Sequence, residues 1–250
     1  MRRFTIRHMS NLDTPFQIIR FTPHDKQYYG ASIELPEILL EDGDYVKHTE
    51  VKIELGQSRY GGPVMDLPKG VTPPAEFNYA GQLDLAKFSP HDKTGLLPKT
   101  GQLIFFADIV NDTGKVIYAD VPNSELVRHV VEHEDDFFAG VLIDEIYPAT
   151  ETLASRFRDP EDDEERLMAD GNGRLWDDFA GSEDSKVFGI YTNSQLGQKK
   201  IEEISFGDKV LLLQVGEDGF NDEGVFSVLI PRADLEARNF ENCEFNWAQS

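Results

Sequence analysis

The chain has 250 residues, enough to bury about 70–75% of its unfolded surface in one large domain or two small ones. Its apolar fraction is 40%, with 17 Phe and 8 Tyr, and the single Cys243 excludes internal disulfides and a cysteine-based zinc site. Forty-six acids against 24 bases leave a formal charge of −22. That charge disfavours nucleic acid and anionic lipid as partners and suits a basic protein.

The acids cluster. Residues 132–184 hold 18 acids and 4 bases, whereas residues 1–31 hold 5 bases and 2 acids. Such a run is either a solvated face that keeps the chain dissolved or a docking face for a basic partner. The longest apolar runs, VLLL and LIFFA, are strand-sized, and no stretch of signal-peptide length follows Arg2 and Arg3. With no disulfide framework, the expectation is a soluble protein of a reducing compartment, the cytoplasm.

Up to about Leu55 the chain alternates in short strand-like pieces: RFTIRHM, FQIIRFT, YGASIEL and HTEVKIEL. LPEILLEDG has room for one helical turn. Four prolines and three glycines among the 18 residues from Gln57 to Pro74 predict a rigid loop without a regular element. Two strands follow, in YAGQLDL (Tyr79–Leu85) and TGQLIFFADI (Thr100–Ile109), then a third in KVIYADV. Ser124–Ile146 is ambiguous, since Ser124 and Glu125 suit a helix start while AGVLIDEIY reads as a strand. The clearest helix signal is RDPEDDEERLM, with Asp159 as N-cap, Pro160 at the first helical position and acids in the first turn. After KVFGIYT and QLGQKKIEEI come VLLLQV (Val210–Val215) and EGVFSVLI (Glu223–Ile230), and PRADLEARNF predicts a short helix or turn before an extended tail.

One arrangement occurs twice. An apolar strand carries a single Gln (Gln82, Gln214), and after a loop a Gly (Gly101, Gly224) opens a second apolar strand. Strands outnumber helices, and their loops are too short for many βαβ crossovers. The expected fold class is therefore α+β, largely antiparallel with few helices, in two related halves made by internal duplication. No Gly/Ser or Pro linker is long enough to part independent domains, so residues 1–250 are expected to form one globular unit, with halves at about 57–121 and 185–240.

The motifs GGPVMDLP (Gly61–Pro68), GQLDL (Gly81–Leu85) and LLPKTGQLIFF (Leu96–Phe106) precede KVFGIYT (Lys186–Thr192), LLLQV (Leu211–Val215) and FNDEG (Phe220–Gly224). Together with an Ile-Pro-x-x-Asp-Leu ending at Ile230–Leu235, they resemble the signature of the YwqG-like family, bacterial domains of unknown function. The resemblance covers roughly residues 57–110 and 185–240. It implies an α+β fold with internal duplication, no established catalytic activity, and a genomic setting beside toxin–antitoxin and contact-dependent competition modules.

Gln82 and Gln214, each flanked by apolar residues, suit two roles. As scaffold they satisfy orphan backbone groups in the opposite half, while Asp222 caps a turn before a Gly-led strand. As a site, Gln82, Asp84, Gln214 and Asp222 line a polar, ligand-binding cleft between the halves.

Other motifs carry less. HVVEH has the H-x-x-E-H form of an inverted zinc-protease signature, which needs a helix placing His129 and His133 on one face. The flanks show no amphipathic period, so a metal site there is rejected. The near-duplicates TPHDK and SPHDK read as turns rather than as His-Asp dyads. DGNGR fails as a calcium loop because Leu175 takes the place of the required glycine. No phosphate-cradling Gly-rich loop is present, so no cofactor is expected. Cys243 lies among acids, which raise a thiol pKa. Two functional readings remain. One is a non-catalytic, immunity-like or regulatory module that binds a basic, toxin-like protein. The other is a small-molecule binder or enzyme using the cleft between the halves.

Overall fold

The structure, a computed structural model, describes residues 11–37, 44–134, 136–158, 175–182, 184–216 and 224–249. Among them the first strands are β1 (Phe16–Tyr29), β2 (Tyr45–Lys47), β3 (Arg59–Gly61), β4 (Val64–Pro68) and β5 (Asn78–Asp84). Next come β6 (Gln102–Asp108), β7 (Thr113–Ala119), β8 (Leu126–Val130), β9 (Gly140–Glu151) and β10 (Phe157–Arg158). The last are β11 (Leu175–Trp176), β12 (Lys186–Val187), β13 (Lys209–Val215), β14 (Gly224–Pro231) and β15 (Glu244–Gln249). The short helices α1 (Leu85–Phe88), α2 (Gln198–Ser205) and α3 (Arg232–Glu236) join them.

The main sheet runs β15-β14-β13-β12-β1-β9-β3-β5-β6-β7, with β2 added to β1. The β1–β2 pair is parallel and the rest of the sheet is antiparallel. Its two end strands approach each other. The Trp247 amide donates to the Asp112 carboxylate at 3.1 Å, and Gly114 lies against the Phe245 ring with no room for a Cβ. The sheet is thus nearly closed, and strand alternation decides what fills it. Leu103, Phe105 and Ala107 point inward to a core with Phe21, Tyr60, Phe88, Phe226 and Phe245. This interior is packed with apolar side chains, so it is a core and not a channel.

Ile104 and Phe106 point outward instead, under Met65 and Leu67 of the separate β4–β8 ribbon. On the other side Leu211 and Leu229 pack outward against Ile201 of α2. Each outer face therefore carries its own buried layer.

The registers on the two sides match closely. Arg59 of β3 faces Gln82 of β5, and Lys186 of β12 faces Gln214 of β13. Gln82 faces Ile104, three residues after Gly101, while Gln214 faces Ser227, three residues after Gly224. A register shift falls around Ala80 and around Leu212, each two residues before its Gln.

Several sequence expectations are met: β1, β5, β6, β7, β9, β13, β14 and α3 lie where the patterns place them. The Gln57–Pro74 stretch is corrected, because it contains β3 and β4. Gly61 and Gly62, at φ 61° and 81°, turn the chain between the two strands, and Pro63 and Pro68 stand at strand ends where a missing N–H costs nothing. YGASIEL and HTEVKIEL are not strands past Tyr29 and Lys47. The Glu132 carboxylate takes the amides of Ala31 and Ser32, and Arg128 takes the carbonyls of Ile53 and Glu54, groups that a strand ladder would need. The ambiguous Ser124–Ile146 segment opens in a 3-10 turn at Asn123–Glu125 and then forms strands β8 and β9. TPHDK lies inside β1 at a register shift, whereas SPHDK forms a 3-10 turn. The strand-like RFTIRHM, part of LPEILLEDG, the RDPEDDEERLM helix and Asp222 fall outside the described residues.

Candidate functional site

The site begins with a buried cation. Arg59 is 0% exposed. Its Nε–H donates to the Val64 carbonyl at 3.0 Å and its Nη1 to the Gln57 carbonyl at 2.6 Å. Nη2 donates to Asp66 at 2.8 Å and to Gln82 Oε1 at 3.1 Å. Asp66, also fully buried, further accepts from the Gly56 amide at 2.8 Å and from Arg128 at 2.9 Å and 3.1 Å. Burial pushes the Asp66 carboxyl up, but the two guanidinium groups and the Gly56 amide outweigh it and hold the carboxyl below its ordinary value. Tyr28 and Tyr79 flank this group, and burial raises the Tyr28 hydroxyl to about 12.

From Arg59 a line of amides crosses the outer face of the sheet. Gln82 Nε2 donates to Gln102 Oε1 at 3.0 Å, and Gln102 Nε2 donates to Asn123 Oδ1 at 2.7 Å. Asn123 Nδ2 then donates to Asp84 Oδ2 at 3.2 Å. Every link points the same way, from a guanidinium to a carboxylate. Reversing one amide would set donor against donor or acceptor against acceptor, so the charged ends fix all three orientations. Gly56, at φ +77°, makes this possible, since a Cβ there would overlap the Asn123 amide.

Asp84 ends β5 and caps α1, its Oδ1 accepting from the Ala86 amide at 3.0 Å. It stands on the ridge between two clefts, of about 430 Å³ and 480 Å³. The first is lined by Glu54, Asp84 and Asp144 with Lys87, over an apolar floor of Leu55, Ile143 and Ile146. The second adds Asp120 and Thr100. Carboxylates outnumber cations in both, so the surface favours a cationic group with an apolar stem. Among the described residues no three His, Cys, Asp or Glu side chains converge as a metal site would require.

Of the four residues named from sequence, the three that are described do not share one cleft. Gln82 and Gln214 are fully buried, and β12, β1, β9 and β3 stand between their strands in the sheet. Of these three, only Asp84 lines the clefts, and Asp222 lies outside the described residues. The two Gln side chains do serve backbone groups, though of adjacent segments rather than of the opposite half. Gln82 accepts from the Asp66 amide at 3.2 Å, and Gln214 Nε2 donates to the carbonyls of Gly181 and Asp184 at 3.1 Å and 2.7 Å.

Beside Gln214, Lys186 is 0% exposed and donates to both Glu151 oxygens, at 2.7 Å and 2.9 Å. Burial is the main cause lowering the Lys186 pKa, opposed by Glu151. The Ile190 amide also reaches Glu151 at 2.5 Å. Gly189, at φ +95°, lets the chain approach, because a Cβ would collide with that carboxylate.

The HVVEH motif is a strand and loop, not a helix, with His129 on β8 and His133 beyond it. Its Glu132 accepts from the Ser32 hydroxyl, the Ser32 and Ala31 amides and His48. The Ser32 contacts lead in lowering its pKa to about 2. The Cys243 thiol is pushed up to about 12, by burial first and then by Asp234, which is not one of its sequence neighbours.

Sequence reasoning missed Arg59, Asp66, Arg128, Gln102 and Asn123. For Arg59, Asp66 and Arg128 the only local signal was a charged residue at a strand position, and nothing in a single sequence tells a buried Arg from a solvated one. Among the described residues no helix is long and apolar enough to cross a membrane. No curated protein matches the chain. The model of a domain of unknown function, DUF1963, matches residues 58–248, from the residue before Arg59 almost to the end of β15. The chain therefore belongs to the DUF1963 family of domains of unknown function.

Proposed function

We propose that this protein is a non-catalytic, immunity-like or regulatory binding module that recognises cationic side chains of a basic, toxin-like partner in the bacterial cytoplasm. One observation carries the reading. The Asp84 carboxylate, anchored by a hydrogen-bonded line from Arg59, divides two clefts whose charged lining is acidic except for Lys87. A lysine or arginine side chain matches such a cleft, with its stem on Ile143 and Ile146 and its head on Asp84 and Asp144. A net charge of −22 would speed the encounter. A binding role agrees with the raised pKa of the Cys243 thiol, which makes it a poor nucleophile.

We further propose that the two sides of the sheet are related halves of one unit and arose by duplication. The support is the matched register of Arg59 on Gln82 with Lys186 on Gln214, and the shift two residues before each Gln.

The test is stopped-flow binding of a fluorescent lysine-rich peptide at several ionic strengths. The association rate should fall at least roughly tenfold between low and 0.2 M salt. Asp84→Asn with Asp144→Asn should weaken binding at least roughly tenfold. Binding that ignores both salt and the double substitution would overturn the proposal.

A further inference from the structure

On the opposite side of the sheet, the guanidinium of Arg156 is 2% exposed. It lies 5.5 Å above the Trp176 ring, which the β10–β11 pair sets across from Phe157. Its Nη1 donates to Thr192 Oγ1 at 2.7 Å. Its Nε and Nη2, both buried, have no hydrogen-bond partner among the described residues. These two groups form the side edge of the guanidinium, two parallel N–H bonds spaced to grip both oxygens of one oxyanion. A buried, charged donor pair left unmade is costly, so this edge is built for an acceptor.

The surroundings define that acceptor. Gly181, at φ +77°, passes the Nη1 side of Arg156 that Thr192 already satisfies, where a Cβ would crowd the guanidinium. Burial lowers the Arg156 pKa, while Glu151, Asp177, Asp184 and Asp178 raise it, so these carboxylates lie within electrostatic reach. Glu151 is matched by Lys186 and Asp184 by Arg20. Among the described residues, Asp177 and Asp178 then exceed the one charge on Arg156. A phosphate dianion would be repelled, whereas a single carboxylate needs only the fork. Asp178 Oδ1 and Trp176 Nε1 are likewise buried without partners among the described residues, and Asp178 is within electrostatic reach of Arg156, so one ligand that bridges the two would satisfy both.

We infer that Arg156 is the anchor of a second binding site, for a small monocarboxylate that also carries an ammonium or hydroxyl group, such as an amino or hydroxy acid. Arg156 holds the carboxylate by Nε and Nη2, and Asp178 accepts from the ligand's donor. This site is separate from the acidic clefts and does not depend on their role.

The experiment is a thermal-shift and ligand-observed NMR panel on the full chain with acetate, glycolate, the common L-amino acids and inorganic phosphate. At least one donor-bearing monocarboxylate should raise Tm by roughly 5 °C at about 100-fold excess over Kd, and phosphate should not. Arg156→Lys keeps the charge and loses the fork, so Kd should rise roughly tenfold or more. Asp178→Asn should erase the preference for donor-bearing acids over acetate. Circular dichroism checks that each variant folds. Should Arg156→Lys not fold, the wild-type panel and Asp178→Asn decide. No response to any carboxylate, a preference for phosphate, or unchanged binding in a folded Arg156→Lys overturns the inference.

Discussion

Replacing Asp66 with Ala removes the only carboxylate hydrogen-bonded to the fully buried Arg59 among the described residues. The guanidinium keeps its bonds to Val64, Gln57 and Gln82, so it stays in place with its charge uncompensated. Breaking a buried pair in this way costs about 3–5 kcal/mol. The Gly56 amide also loses its acceptor, which adds about 1 kcal/mol. Arg128, whose side chain is 34% exposed, can turn to water and adds little. The expected loss of about 4–6 kcal/mol is a large share of a typical stability of about 5–15 kcal/mol. Urea unfolding followed by circular dichroism should show the midpoint falling with an unchanged m value. Arg59→Met in the Asp66→Ala background should restore at least about 2 kcal/mol, because it removes the stranded charge. A loss below about 2 kcal/mol, or a double variant no more stable than the single one, would refute the claim that a desolvated charge dominates here.

Acidification should act through the same group. The folded Asp66 pKa lies below the unfolded value, so its stabilisation is full above roughly pH 4 and declines as pH falls toward the folded pKa. Glu132, held at about 2, behaves alike between roughly pH 4.3 and 2. Glu132→Gln should flatten that part of the stability–pH curve and speed hydrogen exchange at Ala31 and Ser32. Unchanged exchange at those amides would contradict the clamp. Gly189→Ala should cost about 3 kcal/mol or more, since its Cβ would displace Glu151 from Lys186 in a left-handed turn. A Tm within about 2 °C of wild type would show that the loop adapts.

Alternation at period two made β6 and β14 legible from the chain alone, since Phe105 and Phe106 must part to opposite faces. The paired Gln strands were legible too, because an amide inside an apolar run needs partners wherever the run is buried. The Gln57–Pro74 stretch was misleading for a physical reason. Gly and Pro signal reversals, but two short strands fit between them when distant β9 and β8 supply the ladder partners. Asp84 could be singled out as polar beside apolar residues, yet its neighbours in the clefts, Glu54, Asp120, Asn123 and Asp144, come from three other segments.

Composition and periodicity, properties of nearest neighbours along the chain, settled that this is a mostly antiparallel, strand-rich and strongly acidic protein. Which charges are buried was decided in three dimensions. Arg59 and Lys186 read as ordinary surface cations until folding brings Asp66 and Glu151 against them. A charge can leave water only where a counter-charge and hydrogen bonds meet it, and those partners come from residues that only long-range strand pairing brings together.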